Sequence, residues 1–221
     1  MARTAGGNAK DRNLTAHETL DERLLHRMIF FTDAVFAIVL TLMVLDLKPP
    51  PFDSPLHDPM GMRGMQQHFF VLILSFGVIS IFWLAHLSTT RRMVHFDWPT
   101  AVANLVFLFP VCLLPFATSW LGRDIVSPFP WGLYCGVMIV TSIANIALVL
   151  VVSRDGGRLV GGASPPYVRY RVARAATPGL AFALGLVMLA AHVPGAQFCW
   201  VLIPILLWMM RRFLRPHAAT A

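Results

Sequence analysis

The 221-residue sequence predicts an all-α membrane protein, with six transmembrane helices per subunit and both termini in the cytoplasm. Three observations predict it. The composition is 57% hydrophobic and only 13% charged, whereas a soluble domain carries about 25% charged residues. Six apolar stretches approach the roughly 20 residues that a helix needs to cross hydrocarbon. The basic residues are segregated. Fifteen Lys and Arg fall in the two ends and in the loops after the second and fourth spans, against three (Lys48, Arg63 and Arg123) on the opposite side. Positive-inside bias assigns the basic side to the cytoplasm. It also explains the net charge of +7, so the expected partner is the lipid bilayer and not nucleic acid.

Residues 1–26 read as a cytoplasmic N-terminal tail, polar and without a signal-peptide core, its early part disordered. Thr19 or Asp21 is expected to cap the first helix. The first span is 27–48, RMIFFTDAVFAIVLTLMVLDLK. The segment 48–67, rich in proline and glycine, breaks it. The second span is 68–90, followed by Arg91, Arg92 and a turn at Asp97-Trp98-Pro99. The third, about 100–121, carries Asn104, Pro110 and Pro115, tolerable where hydroxyls and neighbouring helices re-satisfy freed carbonyls. The fourth lies near 131–152. The long basic segment 153–174 reads as flexible loop, its Gly-Gly pairs lacking the lysine and spacing of a phosphate-binding loop. The fifth span is about 175–193, and the sixth follows a tight turn at 192–196 and runs to about Leu214. Residues 27–214 thus form one six-helix membrane domain, and 215–221 a cytoplasmic C-terminal tail. Cys112, Cys135 and Cys199 are expected as free buried thiols, with no metal-ligand spacing. Trp83, Trp98, Trp120 and Trp131, close to span ends, suit interfacial anchoring.

The first span carries the most information. At 100° per residue, Phe31, Ala34, Val35, Ile38, Thr41, Leu42 and Leu45 share one face, with Arg27 at its inner end. Asp33 points roughly 140° away from Ile38. An acid inside an apolar span costs roughly 2.5–3.5 kcal/mol on insertion scales, so it needs a partner or a task. Asp33, His86 and Asn104 all fall near the cytoplasmic ends of their spans and can meet at one depth. A carboxylate hydrogen-bonded by His86 and Asn104 would offset its burial. The same acid and histidine could instead relay protons. Asp46, near the outer mouth, could concentrate cations.

The chemistry of an enzyme is missing: there is no G-x-S-x-G, no H-E-x-x-H and no paired carboxylates within a span. No cofactor is implied. There is also no T-V-G-Y-G loop to supply a ring of backbone carbonyls. A pore would therefore have to be built by symmetry, from one helix of each copy in a closed ring.

Arg27-x-x-x-Phe31-Thr32-Asp33, followed by Val35-Phe36-Ala37-Ile38 and Thr41-Leu42, resembles the R-x-x-x-F-S-D signature helix of the lysosomal potassium channel family, transmembrane protein 175 type. Thr32 replaces the usual serine and keeps its hydroxyl. Phe82-Trp83-Leu84-Ala85-His86 resembles the end of the family's second helix, and Asn104-Leu105-Val106-Phe107 part of its third. The resemblance is dense over 27–122; beyond that only length and hydropathy agree. It implies a homotetramer with the first helices lining a central pore that passes potassium and other monovalent cations across the cell membrane. It implies a hydrophobic constriction at Ile38, continued by Leu42 and Leu45, and a selectivity role for the Thr41 hydroxyl. It also implies a structural network of Arg27, Phe31, Thr32, Asp33, Trp83, His86 and Asn104. Two rivals remain: a proton-coupled secondary transporter using Asp33 and His86, and a membrane scaffold that transports nothing. Neither an inverted repeat nor matched broken helices favours the transporter.

Overall fold

A computed structural model describes residues 5–47, 59–125 and 127–213. Among these, seven α-helices form, and six stretches are long and apolar enough to cross a membrane. The chain is a multi-pass membrane protein.

Helix α1 spans Ala5–Leu42 and continues as a turn of 3₁₀ helix, Met43–Asp46. It runs back through the segment read as a disordered tail, so Thr19 and Asp21 stand inside the helix and not at its start. Its end follows from the sequence. Leu47 has left helical geometry (φ −74°, ψ 94°), two residues before the Pro49-Pro50-Pro51 run, whose rings cannot continue a helix. The proline-rich segment 48–58, the side chain of Asp46 and the tail 215–221 lie outside the described residues.

Helix α2 spans Pro59–Thr90. Helix α3, Trp98–Cys112, starts where the Asp97 carboxylate accepts the Thr100 N–H at 3.0 Å, with a proline in the first turn. The third span is not one straight helix. Pro115 can supply no N–H to the turn before it, so the helix breaks at Leu113 and resumes as α4, Leu114–Arg123. Helix α5 spans Pro128–Val152 and α6 spans Pro165–Ala190. Helix α7, Leu202–Phe213, follows a 3₁₀ segment, Ala196–Val201.

The basic segment 153–174 differs from a flexible loop. Its first half is a turn that glycine alone suits: Gly156, Gly157 and Gly161 have φ of 68°, 79° and 70°. A Cβ on Gly157 would lie 2.5 Å from Ala163. The turn is pinned to the loop after α2, where the Val94 N–H donates to the Leu159 carbonyl at 2.8 Å. Its second half, from Pro165, is the first two turns and more of α6. The arginines there, Arg169, Arg171 and Arg174, stand on a helix.

Aromatic side chains fill the bundle interior: Phe36, Phe82, Phe107, Tyr134 and Phe182 are all fully buried. Trp131 is among them, stacked near Tyr134 inside the bundle. Cys135 and Cys199 are buried free thiols, but Cys112 is exposed. Helices α5 and α6 pack closely because Gly179 faces Ser142. Ser142 also bridges the rung of α6 that follows Pro178. It accepts the Gly179 N–H at 3.1 Å and donates to the Ala175 carbonyl at 2.6 Å. Hydroxyl bonds of this kind help proline stand in an apolar span.

Candidate functional site

The site is α1 and what holds it. One side of α1 is buried against α2, α3 and α4: Thr32, Phe36, Val39 and Met43 are at most 3% exposed. The other side is bare. Phe31 is 51% exposed, Ile38 56%, Leu42 45% and Leu45 74%. Arg27 and Thr41 are exposed on the same face, and Ala34 and Val35 at its margin are half-buried. The division follows from the 3.6-residue period. Residues 32, 36, 39 and 43 recur at helical spacing and so do 31, 38, 42 and 45, on a face centred about 120° away at 100° per residue. Arg27 makes no ion pair among the described residues. The Thr41 hydroxyl donates to the Ala37 or Ile38 carbonyl, both at 2.9 Å. Its lone pairs stay free on the bare face.

Two adjacent residues, Thr32 and Asp33, tie this helix to its neighbours. Thr32 is fully buried and ends a chain of three hydrogen bonds. The His86 Nε2 lies 2.9 Å from the Asn104 Oδ1, the Asn104 Nδ2 donates to the Thr32 Oγ1 at 2.7 Å, and Thr32 donates to the Met28 carbonyl at 2.9 Å. The directions are forced. Thr32 has spent its proton on a carbonyl, so it must accept from the Asn104 amide. The Asn104 oxygen then faces His86, whose Nε2 must carry a proton. His86 and Asn104 are each 1% exposed, so every link is made in a dry environment where an unmade one is costly.

Asp33 takes a different partner. It is half-buried, and the Trp83 Nε1–H donates to its Oδ1 at 2.9 Å. The structure therefore brings Asn104, His86 and Thr32 together and gives Asp33 to Trp83, where the sequence expectation had Asn104 and His86 on Asp33. The physical reason is rotation. Neighbouring residues on a helix diverge by about 100°, so Thr32 reaches α3 while Asp33 reaches α2. Two aromatic rings not anticipated in this role complete the anchor. His86 stacks on Phe107 (centroids 5.7 Å apart, planes 4° apart) and lies 6.3 Å from Phe36. Phe36 was legible as a candidate, since it stands one turn beyond Thr32 on the same face.

A second polar knot lies deeper in the bundle, toward the opposite ends of α1 and α2. The Thr118 hydroxyl donates to the Ser75 Oγ at 3.0 Å, and Ser75 lies 3.0 Å from the Tyr134 hydroxyl. It joins α2, α4 and α5 and leaves α1 out.

Comparisons with known proteins converge on one family. Residues 27–115 match the family described as endosomal/lysosomal potassium channel TMEM175. The chain is 30% identical over 178 residues to a potassium channel of Streptomyces collinus, covering 75% of this chain and 86% of that one. It is 31% identical over 131 residues to a potassium channel of a Chryseobacterium species, 59% of this chain and 66% of the relative. It is 26% identical to the rat endosomal/lysosomal proton channel TMEM175 but spans only 25% of that protein. The fold is similar to the crystal structure of a lysosomal potassium-selective channel TMEM175 homolog from Chamaesiphon minutus. The TM-score is 0.71 at 18% identity, over 85% of this chain and 98% of that one.

Proposed function

This chain belongs to the TMEM175 potassium channel family, and on that premise we propose that it is a potassium-permeable cation channel of the cell membrane, a homotetramer conducting between four copies of α1. The observation that carries the reading is the two-sided character of α1: a tightly anchored inner side and an uncovered stripe with one free hydroxyl. Four such stripes around an axis would bring Ile38, Leu42 and Leu45 into successive rings. Apolar rings of this kind can gate by dewetting. The Thr41 ring, between them, would offer oxygens to a partly dehydrated cation. Two relatives named as potassium channels support the ion. Thr32, Asp33, Trp83, His86 and Asn104 then serve to fix the rotation of α1, with Phe31 and Arg27 setting its inner end. Asp33 and His86 hydrogen-bond separate partners, which favours that structural role over a proton relay between them.

Flux measured in proteoliposomes, driven by a potassium gradient with an uncoupler present, tests the reading. A channel is electrogenic, so its flux needs the uncoupler to return compensating charge and falls when the uncoupler is left out. An electroneutral potassium–proton exchanger runs without it, and flux undiminished in the absence of uncoupler would overturn the proposal.

A further inference from the structure

A cavity of about 60 Å³ lies where the end of α2, the last turns of α5 and the first turns of α6 converge. By the roughly 10–15 Å³ that one water needs, it has room for a few waters or one small polyatomic ion. Its lining is unlike the rest of the bundle. Asn145, on the apolar helix α5, is 1% exposed, and neither its amide nitrogen nor its amide oxygen has a protein partner. Arg171, on α6, is 7% exposed, and its Nη2 has none. Arg174 lines the same space, and so does Tyr167, whose ring lies under the Arg92 guanidinium at 4.7 Å and near that of Arg171 at 5.8 Å. Among the described residues, the ion pairs are those of Arg154 with Asp97 and Asp155, so no carboxylate neutralises Arg92, Arg171 or Arg174.

Burying a guanidinium without a counter-charge is strongly unfavourable, and each unpaired amide group adds its own cost. A bound anion removes both. The donors come from two helices, Asn145 from α5 and Arg171 and Arg174 from α6, and several N–H groups around one anion suit the several oxygens of a phosphate. Asn145 can donate to one oxygen and accept from a protonated oxygen or hydroxyl on the same group. The depth fits too. Thr89 stands one residue before the end of α2, and Asn145 stands about 10 Å before the end of α5 at ~1.5 Å per residue. The cavity therefore opens near the level where phosphate headgroups lie.

We propose that this cavity, built by Asn145, Tyr167, Arg171 and Arg174, is a binding site for a phosphate group, supplied by an anionic lipid headgroup or by free phosphate. The site is separate from the bare stripe of α1 and does not depend on what passes along it. Occupancy would lock α6 to α5 and α2.

The test is thermal unfolding of the purified full chain in neutral detergent, followed by tryptophan fluorescence. Dioctanoyl phosphatidic acid is titrated against dioctanoyl phosphatidylcholine, and inorganic phosphate against potassium chloride at equal ionic strength. The expected result is a saturable rise in Tm with phosphatidic acid, inorganic phosphate or both. Half-saturation should move up roughly tenfold in Arg171→Gln and in Arg174→Gln, about the worth of one charge-assisted hydrogen bond. A rise with the lipid alone identifies the headgroup as the source, and one with inorganic phosphate identifies the free ion. Arg174 is half-buried, so Arg174→Gln carries the test if Arg171→Gln does not fold. No rise with either probe, an equal rise with phosphatidylcholine and chloride, or unchanged half-saturation in the variants overturns the proposal and leaves a water-filled cavity.

Discussion

Asn104 is the residue on which the orientation of α1 rests most directly. It is the only group described that hydrogen-bonds both a side chain of α1 and a side chain of α2. Asn104→Leu removes two bonds and deprives the buried imidazole of its partner, while the Thr32 hydroxyl keeps its bond to the Met28 carbonyl. The expected cost is about 1–3 kcal/mol, since an orphaned buried partner costs more than the bond was worth. Thermal unfolding in detergent reads it as a lowered Tm. Trp83→Phe keeps the ring but deprives the half-buried Asp33 of its donor, and is expected to lower Tm by a smaller amount, because water can reach the carboxylate. Asp33→Asn retains an acceptor for Trp83 and should fold and conduct as the parent does; altered ion coupling in that variant would speak for proton exchange. Sequence alone located all these polar groups at one depth, because each stands near the same end of its span. It could not assign partners. Thr32 and Asp33 differ by only one position, and which of them meets Asn104 depends on the rotation of a helix whose neighbours are unknown until the bundle is packed.

At the scale of elements, the six spans were legible because length and hydropathy suffice, and the first-helix stripe because its period is 3.6. The departures have local physical causes. Pro115 splits the third span, whereas α6 runs on through Pro178. There the Ser142 hydroxyl, from α5, bridges the rung that follows the proline, between the Gly179 N–H and the Ala175 carbonyl; at Pro115 the helix restarts. The segment 153–174 misled because arginine-rich and glycine-rich residues both read as loop. Its glycines are there for positive φ, and its arginines begin a helix that reaches beyond the apolar core. Helix contacts also make a prediction. A Cβ on Gly179 would lie 2.6 Å from the Ser142 Cβ, so Gly179→Ala must push α5 and α6 apart. Overpacking of this kind costs about 1–3 kcal/mol. Gly136, on α5, has nothing within 4 Å of such a Cβ. Gly136→Ala is expected to be neutral or slightly stabilising, by up to ~1 kcal/mol of helix propensity. Comparing the two Tm values checks whether α5–α6 packing is set by that contact.

For the whole molecule, the chain buries one side of its first helix and leaves the other uncovered, and in the proposed channel that uncovered side faces an axis shared by four copies. Apolar side chains are uncovered elsewhere too: Leu180, on α6, is 64% exposed. Exposure alone cannot separate a pore-lining residue from a lipid-facing one, and the response of transport to a polar substitution can. An asparagine in a pore constriction wets it, whereas an asparagine facing acyl chains changes no ion path. The deciding measurement is potassium flux into proteoliposomes for the parent chain, Ile38→Asn and Leu180→Asn, with folding of each verified by its elution as one species. The expected result is potassium flux in the parent that falls when sodium replaces potassium, a severalfold rise in Ile38→Asn, and no change in Leu180→Asn. Flux unaltered by Ile38→Asn, or absent from all three folded proteins, would contradict the claim that α1 lines the conducting path.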